Sequence, residues 1–261
     1  MAETGFISVA DLSLEYERLP GRRRGPTLVL LHEGLGCVAR WKNFPARLNE
    51  STGLAVFTYS RAGYGGSSAI DLPRPLDFHT RDALEVLPHV LDVASLEDSI
   101  LLGHSDGASI AIVYAGARRD PRIRALILMA PHVLTEDKGV ETIATVARDY
   151  ESTDLRSQLI RYHGDNVDCA FRGWCDTWLD PGFRSWNIEQ HLANIDIPVL
   201  TLRGDDDPYS TSIHVERIAA GVYGPVETVN LAGCRHAPHV ERVDATLGHI
   251  VDFLARAIDR S

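Results

Sequence analysis

The sequence is poor in the features that would place it outside ordinary globular proteins. It has 4 cysteines and 2 methionines in 261 residues, and its 26 basic residues are outnumbered by 36 acidic ones. The formal net charge of -10 argues against a nucleic-acid-binding surface. No apolar run approaches the roughly 20 residues that a membrane helix requires, and the first residues lack a signal-peptide core. We therefore expect a cytoplasmic protein that binds neither nucleic acid nor membrane.

The cysteines are too few and too scattered for a disulfide framework. Cys234 lies close to His236 and His239 in the sequence, but their spacing is not a recognised zinc pattern. Walker sequences, and a G-x-G-x-x-G turn between a strand and a helix, are also missing. The sequence therefore predicts no metal and no nucleotide or flavin cofactor.

What the sequence does contain is an alternation of short apolar runs with helical patterns. Six runs are typical of parallel strands, and they occupy residues 27–31, 54–59, 99–102, 123–129, 198–202 and 227–231. Helices are predicted at residues 41–48, 80–94, 106–117, 212–222 and 245–257. Two further segments, 6–9 and 12–18, alternate as half-exposed antiparallel edge strands do. The pattern predicts an α/β protein built from right-handed βαβ units.

This alternation is interrupted between residues 133 and 192, where no apolar strand appears for about 60 residues. We interpret the interruption as an inserted, mostly helical cap. Seven aromatic residues fall inside it, among them Trp174 and Trp178. These two are predicted to line the substrate entrance, where they would select the substrate without performing the chemistry. The alternative is that the aromatic residues only pack the cap against the rest of the protein.

The most specific motif is Gly103-His104-Ser105-Asp106-Gly107, which stands between the apolar run Ile100-Leu101-Leu102 and a predicted helix. A serine on a sharp turn between a strand and a helix presents its hydroxyl away from the sheet, and the flanking glycines remove clashes there. The motif therefore predicts a nucleophile at Ser105. Taken alone, it is also compatible with an ordinary glycine-rich turn, so a base and an acid must be found elsewhere.

Candidates for these partners stand in loops that follow later strands. His236 lies in a loop beyond the run 226–231 and is the candidate base. A carboxylate among Asp205, Asp206 and Asp207, after the strand at 198–203, would orient it. Backbone N–H groups of the turn at 32–36, which follows the strand at 27–31, would face a developing oxyanion.

Serine, acid and histidine in this order resemble the α/β-hydrolase superfamily over essentially the whole chain. A second match is residues 59–68, similar to the family's D-x-R-G-x-G-x-S turn, with Ser60 and Ala62 as departures. The resemblance implies an α/β-hydrolase fold, in which an eight-stranded, mostly parallel sheet is flanked by helices and a helical cap is inserted after strand six. The core would be residues 1–132 and 192–261, and the cap residues 133–191.

The resemblance also implies which acid and which histidine act. Asp207 stands three residues after the glycine that ends the seventh strand, which is the family's position for the acid. Asp205 and Asp206 are its neighbours, and Asp137 ranks well behind it. His236 is favoured over His239 because the family's histidine precedes an acidic residue.

The oxyanion donors follow from alignment on the family's H-G-x-G loop. They are the backbone N–H groups of Gly34 and of Asp106, the residue after the nucleophile. Glu33 stands where the family carries glycine. We interpret it as either a structural hydrogen-bond partner or a polar substrate contact.

The predicted function is hydrolysis of a carboxylic ester or thioester of a small, apolar or aromatic substrate through an acyl-enzyme. Dehalogenases and epoxide hydrolases that look similar use an aspartate where this chain has Ser105. Carbon-carbon hydrolases of ring-cleavage products are an alternative, although they typically carry tryptophan where Ala237 stands. A non-catalytic ligand-binding protein of the same fold is another. A small-molecule substrate is the expected partner, and a homo-oligomer is left open.

Overall fold

The centre of the computed structural model, which describes residues 2–258, is a sheet with the strand order β1-β2-β4-β3-β5-β6-β7-β8. Its strands are β1 (Glu3–Val9), β2 (Leu12–Leu19), β3 (Thr27–Leu31), β4 (Val56–Tyr59), β5 (Ser99–His104), β6 (Ile123–Met129), β7 (Val199–Gly204) and β8 (Val226–Leu231). The pairs β1–β2 and β2–β4 are antiparallel, and all other neighbours are parallel. The predicted eight-stranded, mostly parallel sheet is confirmed.

Helices cover both faces of this sheet. They are α1 (Phe44–Thr52), α2 (Phe78–Arg81), α3 (Leu87–Val93), α4 (Asp106–Arg118), α5 (Asp137–Ser152), α6 (Leu155–His163), α7 (Val167–Leu179), α8 (Ile213–Gly221), α9 (Pro238–Glu241) and α10 (Val243–Ile258). Short 3₁₀ helices lie at Val38–Trp41, Gly164–Asn166, Pro181–Ser185 and Glu189–Asn194. Within residues 2–258, none of the helices has the length and apolar character that crossing a membrane would take.

Strands β3 to β7 are largely buried on both faces, which explains why they appear in the sequence as apolar runs. In β3, Leu28 and Leu30 contribute to the core under α1 and α10, whereas Val29 and Leu31 contribute to the core under α3 and α4. This division follows from the two-residue period of a strand. The sheet therefore holds two apolar layers apart and leaves its carboxyl edge free for polar residues.

Helix α1 begins and ends later than the predicted helix at 41–48. Residues Val38–Trp41 form a 3₁₀ turn instead, and α1 starts at Phe44 with Pro45 in its first turn. Proline is favoured there because its fixed φ suits a helix start and its missing N–H is not needed. The helix ends at Gly53, whose left-handed φ of 70° closes it.

The predicted helix at 80–94 is helical without a gap through residue 93, but it is not α-helical throughout. In the structure, a π-helical turn at Asp82–Val86 separates α2 from α3. Pro88, in the first turn of α3, has no N–H to donate to the carbonyl of Leu84, four residues earlier. Arg118 Nη2 donates to that carbonyl instead, at 2.7 Å.

Between β6 and β7 the chain forms α5, α6 and α7 and the last 3₁₀ turns. These elements have an apolar cluster of their own, which includes Ile143, Tyr150, Phe171, Trp174 and Trp178. We refer to residues 133–191 as the inserted segment. Its separation from the core as a cap remains a prediction.

Glu136 connects the start of the inserted segment to the loop after β7 through hydrogen bonds. Its carboxylate accepts hydrogen bonds from the backbone N–H of Thr211 at 2.9 Å and from Thr211 Oγ1 at 2.7 Å. His214 Nε2 donates to it at 2.7 Å, while His214 Nδ1 accepts from the N–H of Val133. Burial alone would raise the pKa of Glu136, but the hydrogen bonds from His214 and Thr211 outweigh it and lower the pKa to about 2.

Replacing the Glu136 carboxylate should lower the stability of the fold at neutral pH. Because the pKa of Glu136 is lower in the folded state, its stabilisation is present above the pKa of the unfolded chain and is lost as pH falls towards about 2. We expect Glu136→Gln to lower the free energy of unfolding by about 1 kcal/mol at pH 7, since the pair is partly exposed. This loss of unfolding free energy, measured by urea denaturation, should become smaller below about pH 5.

Glu141→Gln is the matched control, because Glu141 is an exposed position of α5. It should leave stability unchanged at each pH. A loss at Glu136 that is equally large at pH 7 and pH 3 would contradict the assignment to the ionised carboxylate.

Candidate active site

Ser105 stands on a turn between β5 and α4 that L-amino acids rarely adopt. Its φ is 53° and its ψ is -117°, in the left-handed half of backbone space. The turn is sterically possible because the residues two positions away have no side chain. A Cβ at Gly107 would overlap the carbonyl oxygen of Leu31, and a Cβ at Gly103 would overlap that of Gly107. The glycines in the sequence motif are therefore required by close backbone contacts.

The structure brings Ser105, His236 and Asp207 into one hydrogen-bonded chain. His236 Nε2 lies 3.0 Å from Ser105 Oγ, and His236 Nδ1 lies 2.8 Å and 3.0 Å from the two carboxylate oxygens of Asp207. Since Asp207 accepts at Nδ1, the neutral imidazole carries its proton there and leaves Nε2 free to accept from the serine hydroxyl. Residues from three separate loops thus meet at the carboxyl edge of the sheet.

Asp207 is held as a carboxylate although it is fully buried. It also accepts hydrogen bonds from the N–H of Tyr209 at 2.8 Å and from Ser210 Oγ at 2.9 Å. Burial alone would raise the pKa of Asp207, but the charge and hydrogen bond of His236 and the Tyr209 N–H hold it well below its usual range. An ionised Asp207 can orient the imidazole and stabilise its protonated form.

The other candidates for acid and base lie elsewhere. Asp205 and Asp206 are exposed, although they adjoin Asp207 in the sequence. Asp137 forms an ion pair with Arg184. His239 is buried against the ring of Trp41 at 4.9 Å between centroids, and burial together with the charge of His104 lowers its pKa to about 3.

Gly34 has an orientation set by the peptide before it. The carbonyl of Glu33 accepts from His32 Nδ1 at 2.7 Å and from Arg61 Nη2 at 3.0 Å. In a trans peptide the carbonyl and the following N–H point in opposite directions. The N–H of Gly34 therefore points away from Arg61. Arg61, which stands in the glycine-rich turn at residues 59–68, was not among the site residues predicted from the sequence.

The side chain of Glu33 takes part in a partly buried network beside the serine. Its carboxylate oxygens lie 3.5 Å from Arg40 Nε and 3.5 Å from His104 Nδ1. His104 Nε2 in turn donates to the backbone carbonyl of His236 at 2.7 Å. Burial alone would raise the pKa of Glu33, but His104 and then Arg40 hold it well below its usual range. Of the two interpretations of Glu33, these contacts favour the structural hydrogen-bond partner.

Asp106 follows the serine and begins α4, so its backbone N–H has no acceptor within the helix. Its side chain is 1% exposed, with Oδ1 3.1 Å from His79 Nε2 and 3.2 Å from Trp178 Nε1. Burial alone would raise the pKa of Asp106, but the interactions with His79 and then the charge of Arg61 lower it to about 2. A buried anion therefore stands next to the serine.

A cavity of about 160 Å³ opens over the serine. Its polar wall includes Ser105, His236 and the two residues proposed as oxyanion donors. The rest of its lining is Glu33, Leu35, Arg40, His104, His132, Gly139, Ile143, Trp174, Trp178, Tyr209 and Ala237. Drug-sized ligands usually occupy roughly 300–1,000 Å³, so this cavity suits a small molecule.

Two aromatic side chains beside His236 were not predicted from the sequence. The ring of Tyr209 lies 4.5 Å from that of His236, and the ring of His132 lies 5.7 Å from it. Burial and then neighbouring histidine charges hold the pKa of His132 well below its usual range. Their position in loops after β6 and β7, at the same sheet edge as Ser105, is the signal that could have identified them.

The sequence has measurable similarity to known proteins. Residues 28–248 match the model of the alpha/beta hydrolase family. A proline iminopeptidase of Lactobacillus helveticus is 23% identical over 281 aligned positions, which cover 92% of this chain and 93% of that protein. Epoxide hydrolase 3 of Xenopus tropicalis is 28% identical over 131 positions, 49% of this chain but only 34% of that protein. The chain thus spans about a third of the epoxide hydrolase and nearly all of the iminopeptidase.

The fold has relatives among solved structures as well. A carboxylesterase of Bacillus subtilis superposes with a TM-score of 0.73 at 21% identity, over 99% of this chain and 93% of that one. At such identity the likeness concerns the fold alone.

The reactivity of Ser105 should depend on Asp207 and not on its neighbours. A fluorophosphonate labels nucleophilic serines, so the labelling rate, followed by intact-protein mass spectrometry, reports on the three hydrogen-bonded groups. We expect Asp207→Asn to slow labelling on the order of 10²- to 10⁴-fold, because the imidazole loses its orienting anion. Asp205→Asn and Asp206→Asn serve as matched controls and should label at nearly the normal rate. A larger loss of labelling rate in either control than in Asp207→Asn would identify that control residue as the acid.

Proposed function

Because the chain belongs to the α/β-hydrolase family and is a hydrolase, we propose that it cleaves a carboxylic ester or thioester with Ser105 as nucleophile. The observation that carries the proposal is the unbroken hydrogen-bonded chain from Ser105 Oγ through His236 to Asp207. Such a chain is the arrangement that acyl transfer by serine requires.

The proposed reaction has two halves. Ser105 Oγ attacks the carbonyl carbon while His236 Nε2 takes the proton of the serine hydroxyl. The oxyanion that forms accepts hydrogen bonds from the backbone N–H groups of Gly34 and Asp106. The bond to the alcohol or thiol then breaks, and the leaving group takes the proton from His236. Water attacks the acyl carbon of the acyl-enzyme, giving its proton to His236. The acid departs as Ser105 recovers that proton.

The walls of the cavity support a small substrate with an apolar or aromatic part. Leu35, Ile143, Trp174 and Trp178 supply apolar surface beside the serine. The carboxylates in the wall, Glu33 and Asp106, already have cationic or hydrogen-bonding partners within the protein. A neutral acyl or alcohol group therefore fits this wall better than a charged one.

Removing the nucleophile should abolish hydrolysis and leave the fold intact. We expect Ser105→Ala to lower kcat for para-nitrophenyl acetate on the order of 10⁴- to 10⁶-fold, with little change in thermal unfolding. Ser99→Ala, at the opposite end of β5, is the control and should retain turnover. Near-normal turnover by the Ser105 variant would exclude the serine mechanism. Faster turnover of proline para-nitroanilide than of any ester in the wild type would contradict the ester assignment.

The apolar wall should set the preference for acyl size. Ile143 lines the cavity from α5, so Ile143→Ala would enlarge it and Ile143→Phe would fill it. We expect the ratio of kcat/KM for the benzoate ester to that for the acetate ester to rise about tenfold in the first variant and to fall in the second.

Val146→Ala is the matched control for Ile143, because Val146 packs in the same apolar cluster without lining the cavity. It should leave the ratio unchanged. Equal changes in the rates for both esters at Ile143 would mean that this residue acts in packing only.

A further inference from the structure

The two residues assigned as oxyanion donors come from distant loops, yet one helix touches both. Trp178 Nε1 donates a hydrogen bond to Asp106 Oδ1 at 3.2 Å. One turn earlier in α7, the indole of Trp174 lies so close to Gly34 that a Cβ there would overlap its Cδ1 and Nε1. Residues four apart share one face of an α-helix, so a single face of α7 reaches both donors.

The contact with Asp106 is shielded from water. Trp178 is 4% exposed and Asp106 is 1% exposed. Oδ1 of Asp106 faces Trp178 and His79, while Oδ2 has no hydrogen-bond partner within residues 2–258. A buried hydrogen bond to a carboxylate is stronger than one between neutral groups, so its loss leaves a largely buried charge with one partner fewer.

The same residue carries the side chain that Trp178 binds and the N–H that follows the nucleophile. Asp106 is the first residue of α4, directly after the left-handed turn at Ser105. Holding its side chain from the cavity side limits how the peptide between Ser105 and Asp106 can rotate. Gly34 is limited differently, since its preceding carbonyl is bonded by His32 and Arg61 and its other side is covered by Trp174.

We propose that α7 positions the oxyanion site, with Trp178 holding Asp106 through its indole N–H and Trp174 packing on Gly34. Trp178 is then a positioning residue as well as part of the cavity wall. This inference rests on the proposed serine hydrolysis. It means that substrate selection and stabilisation of the oxyanion use the same helix, so a substrate that displaces α7 is bound but turned over slowly.

The test removes the indole N–H and keeps an aromatic ring. Trp178→Phe should lower kcat for para-nitrophenyl acetate about tenfold or more while KM changes little, because the hydrogen bond acts on the transition state. Acetate is used since it is the smallest of the acyl groups and makes the fewest contacts with the inserted segment. Trp41→Phe is the matched control, because Trp41 is a buried tryptophan whose Nε1 has no partner in the described part of the chain. It should keep most of its kcat.

A second pair of variants tests the acceptor and covers the case in which Trp178→Phe folds poorly. Asp106→Asn keeps an oxygen for the indole N–H, whereas Asp106→Leu has a similar shape and none. Both variants lack the charge, and only the Asn variant can accept the hydrogen bond from the indole N–H. The kcat of the Leu variant should therefore fall well below that of the Asn variant. Thermal unfolding is measured for each protein.

Three results would overturn the inference. The first is a kcat for Trp178→Phe no lower than that of Trp41→Phe. The second is a rise in KM for acetate at unchanged kcat, which would leave Trp178 as a substrate contact only. The third is equal kcat for Asp106→Asn and Asp106→Leu. Wild-type protein without turnover that depends on Ser105 would instead reject the proposed function, and the inference with it.

Discussion

The left-handed backbone at Ser105 is the constraint on which the candidate site depends. Its φ of 53° turns the chain from β5 into α4 within one residue, so Ser105 and Asp106, the first residue of the helix, line the same cavity. This requires the backbone of Gly107 to pass directly beside the carbonyl of Leu31. The serine is thereby held at the carboxyl edge of the parallel strands, where the loops that follow β3, β6, β7 and β8 also begin.

Buried charge is the second constraint, and each buried carboxylate at this edge has its own partner. Asp207 is matched by His236, Glu33 by Arg40 and His104, and Asp106 by His79 and Trp178. An unpaired ionised carboxylate would be strongly unfavourable in such surroundings. The networks therefore tie together loops that the sheet brings to the same edge. They also leave the cavity itself with a largely neutral wall.

The inserted segment is joined to the core at two places. Glu136 binds it to the loop after β7, and α7 packs over the serine and the loop after β3. A fold of this kind supports many chemistries, so the substrate is decided by such local contacts and not by the sheet. Ile143 and the two tryptophans of α7 are the side chains through which the segment shapes the cavity.

The sequence alone determined the sheet and the serine turn, because both rest on local patterns. The apolar runs of β3, β5 and β6 and the glycines around Ser105 are visible without any knowledge of contacts. The tertiary structure decided which neighbouring groups meet. It buried Asp207 and exposed Asp205, placed a π-helical turn before Pro88, and joined Trp178 to Asp106 across 72 residues of sequence. A hydrogen bond between distant segments depends on how those segments pack, and no local period or motif encodes that packing.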